Sequence, residues 1–515
     1  MWRESLQHCL RSSPGTCLAG LQLHRKGESF CVSWKLREKK GKYGDEPLLL
    51  PIDIDPEPIE EKLTAWGGAA LLVQAIRSLD VPGSARRNLH LKQRKRGYDE
   101  GAYVESFVML QALGGDCVDD FERLREDPGI AELLGYEAPS PEAARKFLNH
   151  FHDEALMERA RVRAGEAGQA SLLPDENTAL QGLGQVNRDL IAIMGDRCPE
   201  QKIATVDLDS TIIESWKRQA QKTYEGTTGY QPTLAVWAEM NLIVADEFRD
   251  GNVPAVREPL RAARQAFQAL PASVHQYWFR GDSACYEQEL LTWLRDETRE
   301  GGPAGRIGFA VSAPMNRELQ QEIAETAGEQ WKLYSEDPTA VKEYAVIQHY
   351  PEELPENRYR EPLRYIGIRI RRKQGELFEG GREVLHFAVA TNLWDWDPKR
   401  LLEWHREKAG TIEAVHDVLK NELGAGVLPS KRFGADAAWL RLAVITHNVL
   451  SGLKRLALPA ELLQARPKRL RFLIFTTPGR LIEHARRTRL KLMRSWARFT
   501  NWLPAIRALP APALS

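Results

Sequence analysis

The 515-residue sequence contains no apolar run approaching the roughly 18–20 residues that a bilayer-spanning helix needs, so a membrane-spanning chain is not expected. Cysteine is scarce. The six present (Cys9, Cys17, Cys31, Cys117, Cys198 and Cys285) form no C-x-x-C pair, which argues against a zinc ribbon or a disulfide framework and fits a reducing compartment. Neither sign of charge is in excess. Lys+Arg and Asp+Glu both number 71, so the chain is not a polycation, and any contact with nucleic acid must use local basic surfaces. No internal repeat or low-complexity tract is present. Met1-Trp2-Arg3-Glu4-Ser5 leads into no apolar signal core, which points to a cytoplasmic protein.

What is present is ordinary globular material, 43% hydrophobic and 28% charged, enough for more than one core. Residues 1–60 read as an arm, with a basic stretch from Lys35 to Lys42 and a Pro/Asp/Glu run from Pro51 to Glu61. Residues 61–165 read as all-helical. Apolar residues recur at helical spacing from Trp66 to Leu79, another helix runs from Tyr103 to Leu113 and stops at Gly114-Gly115, and Ser140-Pro141 is an N-cap followed by a first-turn proline. Arg161 to Asp175, rich in Ala and Gly, reads as a hinge. The period then falls to two. Lys202–Asp209, a hairpin of Gln231–Met240 and Leu242–Phe248 turning at Asn241, Gln276–Arg280 and Arg306–Ser312 are expected strands, with helices at Arg257–Leu270 and Tyr286–Leu294. Residues 314–397 are mainly strand-like, including Leu363–Lys373 and Glu383–Thr391. Helices return at Pro398–Lys420, Ala435–Lys454 and, strongly basic, Arg480–Arg498.

Two acids stand out on the first strand. Asp207 and Asp209 are two apart and share a face, and Asp282 follows a second apolar strand at a glycine turn. Strand ends meeting loops are a common seat of chemistry in α/β sheets. Paired Mg²⁺ ions need carboxylates from separate elements converging on one edge, and Glu413 on the Pro398–Lys420 helix is the best third candidate. Lys420 lies seven positions on, two turns along the same helix face.

Asp209-Ser210-Thr211, Arg280-Gly281-Asp282-Ser283 and Thr411-Ile412-Glu413 through Lys420 together resemble, in order, the three motifs of bacterial insertion-sequence transposases of the DDE type. The nearest branch is the cut-and-paste group with a β-rich insertion between the second Asp and the Glu. Asp250-Gly251-Asn252, Leu423-Gly424 to Phe433, Ala438-Trp439-Leu440 and Gly114-Gly115-Asp116 to Asp127 carry the likeness further. The resemblance implies an α/β protein: a ribonuclease-H-like core over residues 200–313 and 398–455, a β-rich insertion at 314–397, a helical DNA-binding region at 61–165 and a basic helical C-terminus at 456–515. The family's Glu helix usually carries a Tyr and an Arg upstream. Here Ala409 stands four before Glu413 and Arg406 seven before, so Arg406 or Lys408 is expected to supply the cation.

By the same resemblance, Asp209, Asp282 and Glu413 are metal ligands and Asp207 is a helper. Lys420 is catalytic through a phosphate contact, and the cofactor is a pair of Mg²⁺ ions, with Mn²⁺ as a substitute. Hydrolysis at the ends of a mobile element would free a 3′-OH that then joins target DNA. The partners are double-stranded DNA and a second copy of the chain, with no membrane. Cations for DNA include Arg480, Arg486, Arg487, Arg489, Lys491, Arg494 and Arg498 near the C-terminus, Arg369 to Lys373, and the Arg86–Arg96 cluster. Trp394 and Trp396 are read as packing residues, with stacking on an unpaired base as the alternative. Two rival readings stand beside this one: a nuclease of the same fold without strand transfer, and a non-catalytic DNA-binding descendant of a transposase.

Overall fold

A computed structural model describes residues 18–26, 29–36, 57, 60–91, 97–350, 362–373, 384–485, 487–493 and 499–509. The chain divides into two units, Met1–Glu61 and Lys62–Ser515. Within the first, β1 (Leu18–Lys26) and β2 (Ser29–Leu36) form an antiparallel hairpin closing at Lys26 and Ser29, where the sequence suggested only an arm. Most of the basic and acidic runs between Lys35 and Glu61 lie outside the described residues.

The second unit opens with a short strand, β3 (Leu63–Thr64), and then the expected helices. The Glu100–Leu113 helix begins where Asp99 accepts a hydrogen bond from the Ala102 N–H, and it ends at Gly114, whose φ of 103° is open only to a residue without a side chain at low cost. Ser140 caps Pro141–Asn149 by accepting from the Ala143 N–H. The start of the supposed hinge is helix, because Glu154–Glu166 runs into it, and the rest, from Ala167 to Asp175, is irregular. A 20-residue helix, Thr178–Arg197, was not foreseen.

The strands β4 (Ile203–Ser210), β5 (Ile213–Glu214), β6 (Gln221–Lys222), β7 (Thr228–Tyr230), β8 (Thr233–Trp237), β9 (Leu242–Glu247), β10 (Gln276–Gly281) and β11 (Ile307–Ala313) follow, then β12 (Lys332–Glu336), β13 (Ala340–Ile347), β14 (Arg364–Arg372) and β15 (Val384–Thr391). Nine of them make one mixed sheet in the order β12-β13-β14-β15-β11-β10-β4-β8-β9. β4, β10 and β11 run parallel to one another; β8 and β9 add antiparallel on one side and β15 on the other. The strands of residues 314–397 therefore extend the same sheet rather than forming a layer of their own, with one helix, Arg317–Glu325, among them. Asn241 supplies the left-handed residue of the β8–β9 turn.

The Phe433–Ala457 helix is the spine of the core and is buried along almost its whole length. Its Asn448 donates to the Ile243 carbonyl and accepts from the Ile243 N–H, so a side chain takes the place of a neighbouring strand at the β9 edge. Arg441 on the same helix is held by Asp246 and Glu176. Trp396 packs against Trp278 and Trp404, with ring centroids 5.2 and 5.4 Å away, as expected of a packing residue. Trp394 is about half exposed, and its indole N–H donates to the Pro362 carbonyl.

The basic C-terminal helix expected at Arg480–Arg498 is not one. Its described residues form an antiparallel ribbon of β16 (Gly479–His484) and β17 (Arg487–Leu492), docked through β3, and helix returns only at Phe499–Ala508. The reason lies in the alternation. Leu481, Leu490 and Leu492 turn to one face, where Leu481 is buried and Leu492 meets Gly67, while Arg480, Arg487, Arg489 and Lys491 turn to the other. A helix would wind those leucines out of line.

Candidate active site

The site is built at the C-terminal ends of β4 and β10. These strands run parallel with Arg280 beside Asp207 and Gly281 beside Leu208, and one further step sets Asp282 beside Asp209. Gly281 is required at this turn, since a Cβ there would lie 2.4 Å from the Cβ of Cys285. Asp282 then accepts a hydrogen bond from the Ala284 N–H, which fixes its carboxylate at the strand end.

Asp209 is mostly buried. Burial pushes its carboxyl above the usual range, Lys408 pulls it back, and the like charge of Asp282 pushes it up again. The Lys408 ammonium lies 3.4 Å from Asp209 Oδ2. His416, two turns further along the Pro398–Glu422 helix, brings Nε2 to 3.8 Å from the same oxygen. Its ring is neutral: burial, with Lys420 and Lys408 nearby, lowers it to about 3, and neither ring nitrogen has a hydrogen-bond partner. His405 Nε2 meets the Gly281 carbonyl at 3.1 Å and anchors the helix to the turn.

Asp207 is placed differently. It is fully buried, gripped by Arg280 Nε at 2.6 Å and Nη2 at 2.9 Å, and it also accepts from the Thr411 hydroxyl. Arg280 in turn donates to the Trp404 carbonyl and to Glu407. Asp207 is thus a structural anchor between β4, β10 and the helix, with both oxygens occupied. Lys420 is engaged too, donating to the Thr211 hydroxyl at 3.0 Å and the Ile212 carbonyl at 3.3 Å. Glu413 is solvent-exposed and has no partner among the described residues. The structure therefore brings Asp209 and Asp282 together with Lys408 and His416 and sets Lys420 at the adjoining loop; Glu413, on the same helix as Lys408 and His416, makes no hydrogen bond or ion pair with either acid. Of the two upstream cations weighed from sequence, Lys408 reaches the site, whereas Arg406 stacks over the Tyr334 ring.

Two partly buried carboxylates beside each other, with one ammonium for compensation, suit a hard divalent ion. Among the described residues the one cluster of close metal-type ligand atoms is elsewhere, at Asp116, Cys117 and Asp120. That group is explained by helix capping, since Asp120 accepts from the N–H groups of Asp116 and Cys117.

Sequence reasoning did not reach Arg280 as the partner of Asp207, or His416 beside Asp209. The adjacent motif Arg280-Gly281-Asp282 was the available signal for the first. On parallel strands, the residue two before one acid falls beside the residue two before the other.

Residues 60–510 match the family model described as Transposase DDE domain group 1, so the chain belongs to the DDE transposases. No curated protein sequence matches it. Among solved structures, a piggyBac transposase in synaptic complex with hairpin DNA, determined by cryo-EM, aligns over 79% of this chain and 80% of its own at 10% identity and a TM-score of 0.40.

Proposed function

We propose that the chain is the transposase of a bacterial insertion sequence, cutting DNA at the element's ends and joining the freed 3′-OH to target DNA. The observation that carries this reading is the Asp209–Asp282 pair on neighbouring parallel strands within a DDE transposase chain. The strand order β9-β8-β4-β10-β11, with three parallel strands at its centre and an antiparallel pair at one side, supports a ribonuclease-H-like core. Asp209 and Asp282, with Glu413 from the helix, would hold the Mg²⁺ ions, for which Mn²⁺ would substitute. Bound there, Mg²⁺ supplies an activated water and neutralises charge on the leaving oxygen.

The protein's own residues orient this chemistry. Lys408 steadies Asp209, and Arg280 and Thr411 lock the β4 end against the helix that carries Glu413. Double-stranded DNA is bound by distributed cations. Foremost is the β16–β17 ribbon, where Arg480, Arg487, Arg489 and Lys491 share one exposed face. Clustered cations favour a polyanion, and a two-stranded ribbon fits the DNA major groove. Residues 61–165 would read the terminal repeats, and two copies would pair the two ends. The test is excision: a marker flanked by the element's own ends should leave its donor plasmid and reappear elsewhere when this chain is expressed. Cutting without reinsertion would favour the nuclease reading.

A further inference from the structure

Between Asp209 and β8 the chain makes a small three-stranded sheet, in the order β5-β7-β6, whose root lies directly at the site. Lys420 fixes that root at Thr211 and Ile212, only two or three residues after Asp209. β5 and β6 both run antiparallel to β7, so they run parallel to each other and leave the sheet at the same end. Trp216 follows β5 there, and Tyr224 follows β6. With one strand between them, their backbones are separated by roughly 10 Å across the sheet.

Both rings stand in solvent, Trp216 94% exposed and Tyr224 76% exposed. Neither belongs to a loose loop. Lys217, next to Trp216, donates to the Leu428 carbonyl at 2.5 Å and to the Ser430 carbonyl, and lies 3.6 Å from Asp436. Thr228 donates to the Ser215 carbonyl, and Thr223 and Thr227 close the turn that carries Tyr224. Burying either ring in the core would be favourable, yet the fixed backbone holds both outward. Arg218 and Lys222, exposed on the same flap, have no partner among the described residues.

Exposed, rigidly mounted aromatic rings interleaved with cations are the features that bind unpaired nucleic-acid strands, where bases stack on rings and the backbone follows the charge. We propose that the flap of residues 211–227 holds a single-stranded segment of DNA against the carboxylate pair, with bases stacked on Trp216 and Tyr224. This rests on the reading of the chain as a DNA-cutting transposase, and it assigns the stacking role to the flap rather than to Trp394 or Trp396.

The test is anisotropy with the purified full chain and two fluorescein-labelled probes, an oligothymidylate of about 15 nucleotides and a duplex of about the same length. Trp216→Ala and Tyr224→Ala should each weaken oligothymidylate binding by between about fivefold and a hundredfold, because stacking one base is worth about 1–3 kcal/mol. Trp216→Phe and Tyr224→Phe should stay near wild type, and duplex binding should change less than about twofold in every variant. Tryptophan fluorescence should be quenched by the oligonucleotide in the wild type, and less in Trp216→Phe. Single-strand affinity unchanged in both alanine variants would overturn the flap proposal while leaving the transposase reading standing. A wild-type chain that bound neither probe would remove both.

Discussion

Arg280 holds Asp207 through two contacts, at 2.6 and 2.9 Å, inside a fully buried pocket, and this pair separates two acids that lie only two residues apart. Both oxygens of Asp207 are taken up inside the fold, whereas Asp209 faces Asp282 and Lys408 and is the one proposed for chemistry. Breaking a buried pair by removing one partner costs about 3–5 kcal/mol, because the remaining charge is uncompensated. Asp207→Ala should therefore lower the urea midpoint of unfolding sharply, and Asp209→Ala should not. Equal loss of stability in both variants would mean that the two acids share one role.

Lys420 binds the flap root, so its loss should act through position. Lys420→Ala is expected to slow cleavage of end DNA by on the order of a hundredfold, as misplacement of about 1 Å can do, with the Mg²⁺ concentration for half-maximal activity nearly unchanged. Limited proteolysis should then cut more readily between Thr211 and Thr227. A large rise in Mg²⁺ requirement would instead place Lys420 in support of the metal ligands.

The ribbon should set the salt dependence of DNA binding. Each phosphate contact contributes about 0.9 to the slope of log K against log salt. Changing Arg487, Arg489 and Lys491 to Gln should reduce that slope by up to about 2.7. An unchanged slope would return these residues to the role of a solvated face.

Asp436 gives a pH dependence with a defined sign. Burial raises its carboxyl to about 7, against the pull of Lys217 and the Ser430 N–H. Its unfolded value is near 4, so the folded chain holds the proton more tightly, and the resulting stabilisation is complete below about pH 4 and lost as pH rises through about 7. Asp436→Asn should thus raise the melting midpoint at pH 8 and change it little at pH 4. A lower midpoint at pH 8 would show that the pair with Lys217 outweighs burial.

The strands that carry Asp209 and Asp282 were legible because each is an apolar run that ends in acids, as in Ile203 to Asp209 and Gln276 to Asp282. The long helices at Pro398–Glu422 and Phe433–Ala457 were legible from their apolar periodicity. Thr178–Arg197 was not, because Gly182 and Gly184 interrupt its stripe; Gly182 is there because the Asn88 carbonyl would lie 2.3 Å from a Cβ. The C-terminal ribbon was misread because a run of arginines hid the alternation of Leu481, Leu490 and Leu492, and its turn uses Ala485 at a φ of 50° rather than a glycine. At the site, the acids could be read from sequence, but the pairing of Asp207 with Arg280 and the approach of His416 depend on strand register and helix rotation, which spacing alone does not fix.

The most direct measurement is cleavage of labelled DNA carrying the element's own ends by the wild-type chain, Asp209→Ala, Asp282→Ala and Glu413→Ala, with and without Mg²⁺. The account predicts metal-dependent cutting by the wild type, none by the three variants, and end-DNA binding retained by all four. Cutting at a near wild-type rate by Asp209→Ala or Asp282→Ala, or cutting by the wild type without a divalent metal, would contradict it.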